Sequence, residues 1–559
     1  MKKLLLLGVL LTASLCFSQQ KISESKKVED LIRIWGLLKY KHPTVSRGKF
    51  DIDQVFIKEL GKLKTIQQQD TFNKHLLQWI RSFSDSSHRL KPASPTPAKL
   101  FSKNEAYDWI ENSGFSVALT NLLHTIKNNK NYGKHYASIR KLSHSVQFEN
   151  DKELTGFTES NQSHRLLFLA SFWNKMSYWN VNIYLTETPW NKVLTGLIPA
   201  FINKDTLSYK LAKDKLFAKL NDSHANYTSS YLYKQPSQKF SLYAGRIVND
   251  SLVVKTIFNK SLAKKEGIEI GDVIYQINGN SIREQYLKKF KNRISASNEN
   301  YLKSIVARYY LLSDSSDSLD IGLLKKTGKH IKQHIQLHKF TRNNYQPISM
   351  PSSLKGVAWK KLKKDIGYLN LSTINKSELK KAFQAFKNTK GLIIDLRNYP
   401  RNLKFTDLPY FLYPRKKVFM KILVPYAPSI GKYDAQTALK LLMNPFSAGR
   451  KNNKYYKGKI VLLVDRTTAS MAEYFAMAIQ AAPNCITIGE QTFGAVMNRN
   501  QVILKDKSTI DFTGNGAFYP DNTPVQRRGL KIDFQVKESA IGYDSYQYID
   551  RAIKIIQKN

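Results

Sequence analysis

Residues 459–473, KIVLLVDRTTASMAE, combine an apolar strand, a short turn and the start of a helix in one stretch. The apolar run predicts a strand, and the continuation MAEYFAMAIQAA predicts a helix. Ser470 is therefore expected at a helix N-terminus, where unpaired N–H groups and the helix dipole favour negative charge. A nucleophilic serine there has an oxyanion site beside it. Ser470 and Glu473 equally fit S-x-x-E, a capping box in which the serine only caps the helix.

The segments around this turn repeat the alternation of strand and helix. DIGYLNLSTI is followed by the helical pattern SELKKAFQAFKN, the apolar strand GLIIDLRN and, after the turn, the strand CITIGE. Strands that alternate with helices are typical of parallel sheets covered by helices. We therefore expect residues 355–559 to form an α/β core.

Five short motifs follow one another in this core. They are IGYL at 366–369, IIDLRN at 393–398, TAS at 468–470 with Glu473, GEQTFG at 489–494, and YPD at 519–521 followed by Gly529 and Asp533. Together they resemble the tail-specific, or C-terminal processing, serine peptidase family. The resemblance implies a crotonase-like ClpP/tail-specific protease core that cleaves protein or peptide substrates without a metal or other cofactor. It also implies Ser470 as the nucleophile.

A serine hydroxyl is a weak nucleophile without a base, and members of this family differ in their base. The bacterial processing type has a lysine shortly after T-F-G, where this chain has Ala495. The segment LNDSHA at 220–225 is similar instead to the D-x-H signature of the tricorn-core-like, histidine-dependent branch. That likeness implies His224 as the general base, able to work near neutral pH, and Ser223 as a supporting hydroxyl.

Two departures from the family pattern concern the remaining site residues. The family's D-L-R-x-N-P-G-G is DLRNYPRN at 395–402, without the glycines that help to form the oxyanion hole. Pro400 has no N–H, so we expect the backbone amides of Met471 and Arg401 to be the donors, unless the altered loop marks an inactive site. The late glutamate of the tricorn-like branch is also missing, which leaves Ser223, Gln526 or an acid elsewhere to orient His224.

Residues 236–342 have the pattern of short strands. GIEIGDVI at 267–274 and the turn ING at 277–279 resemble the core motif of PDZ domains. Such domains bind an extended peptide as an added strand. The resemblance predicts a PDZ-like β domain, and we interpret Leu242, Tyr243, Ala244 and Gly245 as its peptide-recognition loop.

Residues 19–235, which include the D-S-H segment, have helical periodicity and many aromatic residues. We expect Trp35, Trp173 and Trp179 to pack in a core, and the Ser- and Pro-rich residues 82–97 to form a linker or loop. His330, His334 and His338 could align on a helix as metal ligands. The apolar residues between them favour a strand whose outward face carries all three histidines. The fold class expected for the whole chain is multidomain α+β.

The first residues, MKKLLLLGVLLTASLCFS, resemble a secretory signal peptide over 1–18. They predict an exported protein, periplasmic or secreted and soluble once cleaved. Cleavage would leave Cys485 as the one cysteine, which is expected to be a packed core residue.

The chain has 88 Lys and Arg against 43 Asp and Glu, a formal charge of +45. Such an excess suits acidic substrates, nucleic acid or an anionic envelope. The basic clusters are scattered through every region, so a nucleic-acid partner is not expected, whereas electrostatic contact with an anionic envelope stays open. The alternative to a peptidase is an inactive envelope scaffold that binds peptides through the PDZ-like module.

Overall fold

The computed structural model describes residues 20–85, 89–90, 100–225, 238–339, 348–350, 354, 356–363, 365–436 and 446–558. The expected signal peptide and most of the segment 82–97 lie outside these residues. Two 3-10 turns, Val45–Arg47 and Ile183–Leu185, accompany the helices α1 (Glu24–Lys41), α2 (Ile52–Leu63), α3 (Gln69–Arg81), α4 (Trp109–Asn112), α5 (Val117–Asn128), α6 (Gln162–Trp179), α7 (Trp190–Ile202), α8 (Thr206–Ala218), α9 (Lys260–Glu266), α10 (Ile282–Phe290), α11 (Glu299–Tyr309), α12 (Lys376–Ala385), α13 (Pro409–Leu412), α14 (Met471–Gln480) and α15 (Gln547–Gln557).

The strands are concentrated after residue 238. They are β1 (Ser138–Ile139), β2 (Val146–Gln147), β3 (Lys239–Phe240), β4 (Tyr243–Val248), β5 (Ser251–Ile257), β6 (Val273–Ile277), β7 (Asn280–Ser281), β8 (Ser313–Asp314), β9 (Ser318–Leu324), β10 (His330–Gln336), β11 (Ile348–Ser349), β12 (Trp359–Lys363), β13 (Ile366–Asn370), β14 (Gly391–Asp395), β15 (Lys417–Val418), β16 (Lys421–Pro425), β17 (Tyr433–Ala435), β18 (Ser447–Ala448), β19 (Lys459–Val464), β20 (Cys485–Gly489), β21 (Arg499–Ile503), β22 (Thr509–Thr513), β23 (Gly516–Phe518) and β24 (Phe534–Gln535).

Helices α1–α8 pack around one apolar core that is rich in aromatic side chains. Trp35, Trp173 and Trp179 are all buried in it, as their helical spacing predicts. Helix α1 is buried along almost its whole length because α2, α6 and α7 contact it from different sides. The helices of this region are therefore packed around one continuous hydrophobic core.

The central β region forms a sheet in the order β10-β9-β6-β5-β11, with β4 paired to β5 and β7 to β6. Asn278 and Gly279 both have positive φ, 47° and 77°, as an Asn-Gly hairpin turn requires. Helix α11 packs against β4. His330 and His334 are exposed on β10, and Ile335, next to His334, is buried, whereas His338 follows the strand and is half-buried.

The last region contains a sheet in the order β12-β13-β14-β19-β20-β24. From β13 onwards neighbouring strands are parallel, which confirms the α/β core. Alternate residues face opposite sides: Ile394 and Leu462 pack with α12 and α14, whereas Ile393 and Val461 pack with α15. Covering both faces in this way explains the nearly continuous apolar strands.

Strands β21 and β22 form an antiparallel hairpin, residues 499–513, which we call the arm. The arm leaves the α/β core and inserts its apolar residues into the core of the helical region. Those residues are Val502, Leu504, Ile510 and Phe512. The helical region and the last region are thus joined by shared hydrophobic packing that the order of motifs along the chain does not reveal.

Two further expectations concern the membrane and Cys485. Within the described parts of the chain, no helix combines the length and apolar character needed to cross a bilayer. Cys485 begins β20 and is partly buried, and burial raises the pKa of its thiol to about 12.

Candidate active site

The turn between β19 and α14 is held by hydrogen bonds to the end of the neighbouring strand. Thr468 Oγ1 donates to the carbonyl oxygen of Leu396 (2.9 Å) and accepts from the N–H of Asp465 (3.0 Å). Thr467 Oγ1 donates to the carbonyl oxygen of Arg397 (2.5 Å). The two threonines before Ala469 therefore lock the turn against the loop that begins at residue 396.

Ser470 follows this turn with φ 52° and ψ −112°, an uncommon conformation for a residue other than glycine. Its side chain makes no capping hydrogen bond, although the residue directly precedes α14. The residue is partly exposed. The structure therefore departs from the capping box that S-x-x-E allows. A strained backbone that presents a serine hydroxyl at a helix start is typical of nucleophile turns.

Glu473, the other residue of S-x-x-E, is fully buried below the turn. It accepts hydrogen bonds from Thr492 Oγ1 (2.5 Å) and from the N–H groups of Gly494 (2.7 Å) and Ala495 (3.0 Å). Burial raises the pKa of Glu473 to about 7, and these hydrogen bonds act in the opposite direction. Glu473 thus fixes the loop that passes beside the serine, and the side chain of Ala495 is buried there.

His224 is 6% exposed and lies in the short segment after α8. Its Nδ1 is 3.0 Å from Thr513 Oγ1, and its ring packs against the ring of Phe493 with the centroids 5.5 Å apart. Burial lowers the pKa of His224 below its ordinary value; Arg499 adds to this effect, whereas Asp222 and Asp511 oppose it. The imidazole is therefore biased towards its neutral form, which can accept a proton.

Asp222 is buried and surrounded by donors. Its Oδ1 accepts from the His224 N–H (3.0 Å), from Thr513 Oγ1 (2.8 Å) and from Gln526 Nε2 (3.1 Å). Its Oδ2 accepts from the Thr513 N–H (2.6 Å). A carboxylate with only donors around it matches the ionised form, which has no proton to give.

Phe493 connects the serine turn to the histidine segment. Its N–H donates to the carbonyl oxygen of Thr468 (3.1 Å), and its own carbonyl oxygen accepts from Ser223 Oγ (3.0 Å). Ser223 Oγ also accepts from the Ser297 N–H (3.0 Å). One residue of the T-F-G motif thus contacts both segments that the sequence singles out for catalysis.

The remaining predicted residues occupy distinct places. Gln526 contacts Asp222, the neighbour of the histidine segment. Met471 is the first residue of α14, and Arg401 is exposed in the loop after β14. Thr513 belongs to the same cluster but was missed, because a threonine in a hairpin strand gives no signal in the sequence.

Leu242, Tyr243, Ala244 and Gly245 do not form a loop. The last three belong to β4, with a bulge between Ala244 and Gly245. Among the described residues β4 pairs with β5 alone, and a cavity of about 810 Å³ lies between β4 and α11. Arg466 and Thr467, from the serine turn, line the same cavity.

A buried ion cluster joins β4 to the serine turn. Arg246 of β4 pairs with Asp465 (3.3 Å), Glu538 (2.8 Å) and Glu490, and Arg466 pairs with Glu490 (2.7 Å). Because these side chains are almost fully buried, loss of either arginine would leave uncompensated charge. The cavity and the turn are therefore held in one arrangement.

Comparison with known proteins finds similarity to peptidases. Residues 418–536 match the model of Peptidase family S41. The chain is 22% identical over 287 residues to a chloroplastic C-terminal processing peptidase of Tetradesmus obliquus, which covers 50% of this chain and 56% of that protein. It is 22% identical over 369 residues to the carboxy-terminal processing protease CtpA of Bacillus subtilis (strain 168), covering 66% and 68%.

The chain thus spans between about half and two thirds of these relatives. Among solved structures, mature CPAF complexed with lactacystin superposes with a TM-score of 0.54 at 12% identity, covering 70% of this chain and 97% of that one. At this identity the likeness concerns the fold alone. It extends the shared architecture well beyond the matched residues 418–536.

Proposed function

From the peptidase family S41 domain at residues 418–536 we propose that the protein is an exported serine endopeptidase, with Ser470 as nucleophile and His224 as general base. The observation that carries the proposal is the uncapped hydroxyl of Ser470 on a strained turn at a helix start. That turn is tied through Phe493 to the histidine segment. The two lysines and the apolar run that follows them within residues 1–18 support export.

The reaction proceeds through an acyl-enzyme. Nε2 of His224 takes the proton of Ser470 Oγ as the oxygen forms a bond to the scissile carbonyl carbon. The N–H groups of Met471 and Arg401 stabilise the resulting oxyanion. The imidazolium then gives its proton to the leaving amine as the C–N bond breaks. In the second half of the reaction, water attacks the ester carbon while His224 takes one of its protons. The C–O bond to Ser470 then breaks, the acid product is released, and the proton passes from His224 to Ser470 Oγ.

The cavity beside β4 is the proposed entry for the substrate. An extended peptide can add to the open edge of β4, with Ala244 and Gly245 beside its backbone. The same cavity reaches Arg466 and Thr467, next to the nucleophile turn. A peptide bound along β4 would therefore lead towards Ser470, and the net positive charge of the chain would favour acidic substrates.

Ser470→Ala tests the nucleophile. With reduced casein as substrate, we expect at least a roughly 10³-fold loss of cleavage, because the attacking oxygen is removed. Ser539→Ala, an exposed serine of the same region, is the matched control and should cleave normally. His224→Ala should fall to a similar level. Cleavage by pure S470A protein at the wild-type rate would refute the assignment.

The proposed oxyanion donors are backbone N–H groups, so a variant that removes one N–H tests them. Arg401→Pro removes the N–H at that position, whereas Arg401→Ala keeps it and removes only the side chain. We expect about a 10²-fold lower kcat for R401P and little change for R401A. Equal activity of the two variants would show that the N–H of residue 401 takes no part.

A catalytically inactive peptide-binding scaffold is the second candidate. It is favoured by the loop 395–402, where Arg401 and Asn402 replace the glycines of the family pattern. A fluorophosphonate probe separates the two functions, because it reacts with an activated serine only. Labelling of the wild type and not of S470A supports the peptidase, and absence of labelling in a folded wild type supports the scaffold.

A further inference from the structure

We propose that Asp222 is the carboxylate that orients His224, and that it acts through the hydroxyl of Thr513 rather than by direct contact with the ring. This inference rests on the proposed function, in which His224 is the base. It assigns a role to a residue of the arm, far along the chain from both the histidine and the serine. It also answers which acid replaces the late glutamate that the sequence lacks.

The hydrogen-bond directions follow from the chemistry of the three groups. The Asp222 carboxylate can only accept, so the single hydroxyl proton of Thr513 points to Asp222 Oδ1, 2.8 Å away. Towards His224 the hydroxyl oxygen can then only accept. Nδ1, at 3.0 Å, must therefore carry the ring proton. This leaves the lone pair on Nε2, the nitrogen that can take a proton from a serine.

The side-chain amide of Gln526 can donate a hydrogen bond to an ionised Asp222 without adding a second charge. Its Nε2 donates to Asp222 Oδ1 at 3.1 Å. A glutamate at 526 would place a second carboxylate against Asp222 in a buried site, where two like charges repel strongly. The amide at 526 and the carboxylate at 222 thus keep one negative charge in the cluster.

Thr513 is held from two directions. Its N–H donates to Asp222 Oδ2 at 2.6 Å, so both its backbone and its side chain engage the same carboxylate. At the far end of the arm, Lys505 Nζ is buried and contacts Asp151 (2.7 Å) and Asp53 (2.5 Å) of the helical region. The N–H of Leu154 donates to the carbonyl oxygen of Lys505 at 2.9 Å. The helical region therefore fixes the strand that presents Thr513.

Other charged groups near the ring come from the arm itself. Arg499 of β21 and Asp511 of β22 act on His224 in opposite senses, and they pair with each other at 3.3 Å. Arg499 lowers and Asp511 raises the pKa of His224, and burial and Asp222 each act on it more strongly than either of them. Substitution of Thr513 should therefore be visible in the titration of His224.

The test compares Thr513→Val, which keeps the shape and removes the hydroxyl, with Thr513→Ser, which keeps the hydroxyl. His224 is titrated by ¹⁵N and ¹H NMR in the full chain carrying Ser470→Ala, so that the readout needs no activity. We expect the Nδ1–H tautomer in the parent and in T513S. In T513V we expect a mixture of tautomers and a pKa lower by about one unit, because the imidazolium loses its acceptor.

Kinetics supply the second readout in chains that keep Ser470. T513V should lower kcat about 100-fold with KM within about threefold, and the acid limb of the pH profile should move to lower pH. T513S should restore both. An unchanged tautomer and pKa in T513V would overturn the inference.

If T513V does not fold, Asp222→Asn replaces it, because that variant removes the charge and keeps the hydroxyl. A wild type with the Nδ1–H tautomer but no cleavage would refute the peptidase function and leave the Asp222–Thr513–His224 arrangement standing.

Discussion

The serine turn and the cluster around His224 are positioned in opposite ways. Ser470 is placed by one continuous strand, turn and helix, from β19 to α14. His224 is held by Thr513, 289 positions away, and its neighbour Asp222 by Gln526, 304 positions away. Ser470, the proposed nucleophile, thus lies in a turn formed by consecutive residues, whereas His224, the proposed base, is surrounded by residues from distant parts of the chain. We expect changes in the arm to affect His224 more than they affect the serine turn.

The largest effect is expected from Asp222→Asn. It removes the charge that stabilises the imidazolium, and we expect kcat/KM to fall by 10³-fold or more, about 4 kcal/mol in transition-state stabilisation. Asp511→Asn, on the arm and near His224 only through space, should change it less than about threefold. Steady-state cleavage of a fluorogenic peptide measures both. Equal losses would mean that general electrostatics, not the hydrogen-bonded path, supports the base.

The second effect concerns the anchor of the arm. Lys505→Met leaves Asp53 and Asp151 with less compensating charge in a buried site, and the free energy of unfolding should fall by about 3 kcal/mol. Lys507→Met, at the exposed side of the same tip, should change it by less than about 0.5 kcal/mol. Urea titrations followed by tryptophan fluorescence measure the difference. If the two variants matched, the arm would not need this anchor.

The third effect tests the serine side through Glu473. Its pKa is raised to about 7 in the folded chain, above its ordinary 4.5, so the folded state keeps a proton that the unfolded state releases. The stability that comes from this proton is complete below pH 4.5 and is lost as the pH rises through 7. Wild type should therefore lose about 2 kcal/mol more than Glu473→Gln between pH 5 and pH 7. Parallel stability curves for the two proteins would refute this.

The smallest effect concerns the strain at Ser470. Glycine adopts a positive φ without a Cβ clash, so Ser470→Gly should be about 1 kcal/mol more stable than Ser470→Ala. Both variants should be inactive. Thermal unfolding of the pair measures the difference. A more stable alanine variant would indicate that the turn relaxes once the hydroxyl is gone.

Much of the fold was predictable because it rests on periodicity. The parallel strands and their helices, the buried tryptophans and the Asn-Gly turn follow from apolar spacing and turn chemistry, which act over a few residues. The position of Ser470 at a helix start was predictable for the same reason, since strand, turn and helix are adjacent in the chain. Residues 242–245, the proposed recognition segment, lie mostly in β4 and not in the predicted loop, because a bulged strand edge resembles a loop in sequence.

The partners of His224 could not be predicted in the same way. Asp222 lies beside the histidine, but its bond to Thr513 exists only because the arm inserts into the helical region and returns. A hydroxyl at a strand end has no pattern of its own. The sequence therefore shows that the family's late glutamate is missing, whereas the residues that surround His224 become visible only in the fold.

The sequence by itself determined the α/β core, the strand-rich domain before it and the serine at the helix start. These features depend on local propensity and apolar spacing, which are properties of consecutive residues. Only the tertiary structure decided which groups surround His224, and that Thr513 and Gln526 both donate hydrogen bonds to the buried Asp222. Hydrogen bonds form between atoms that are close in space, and the packing of the arm brings these atoms together.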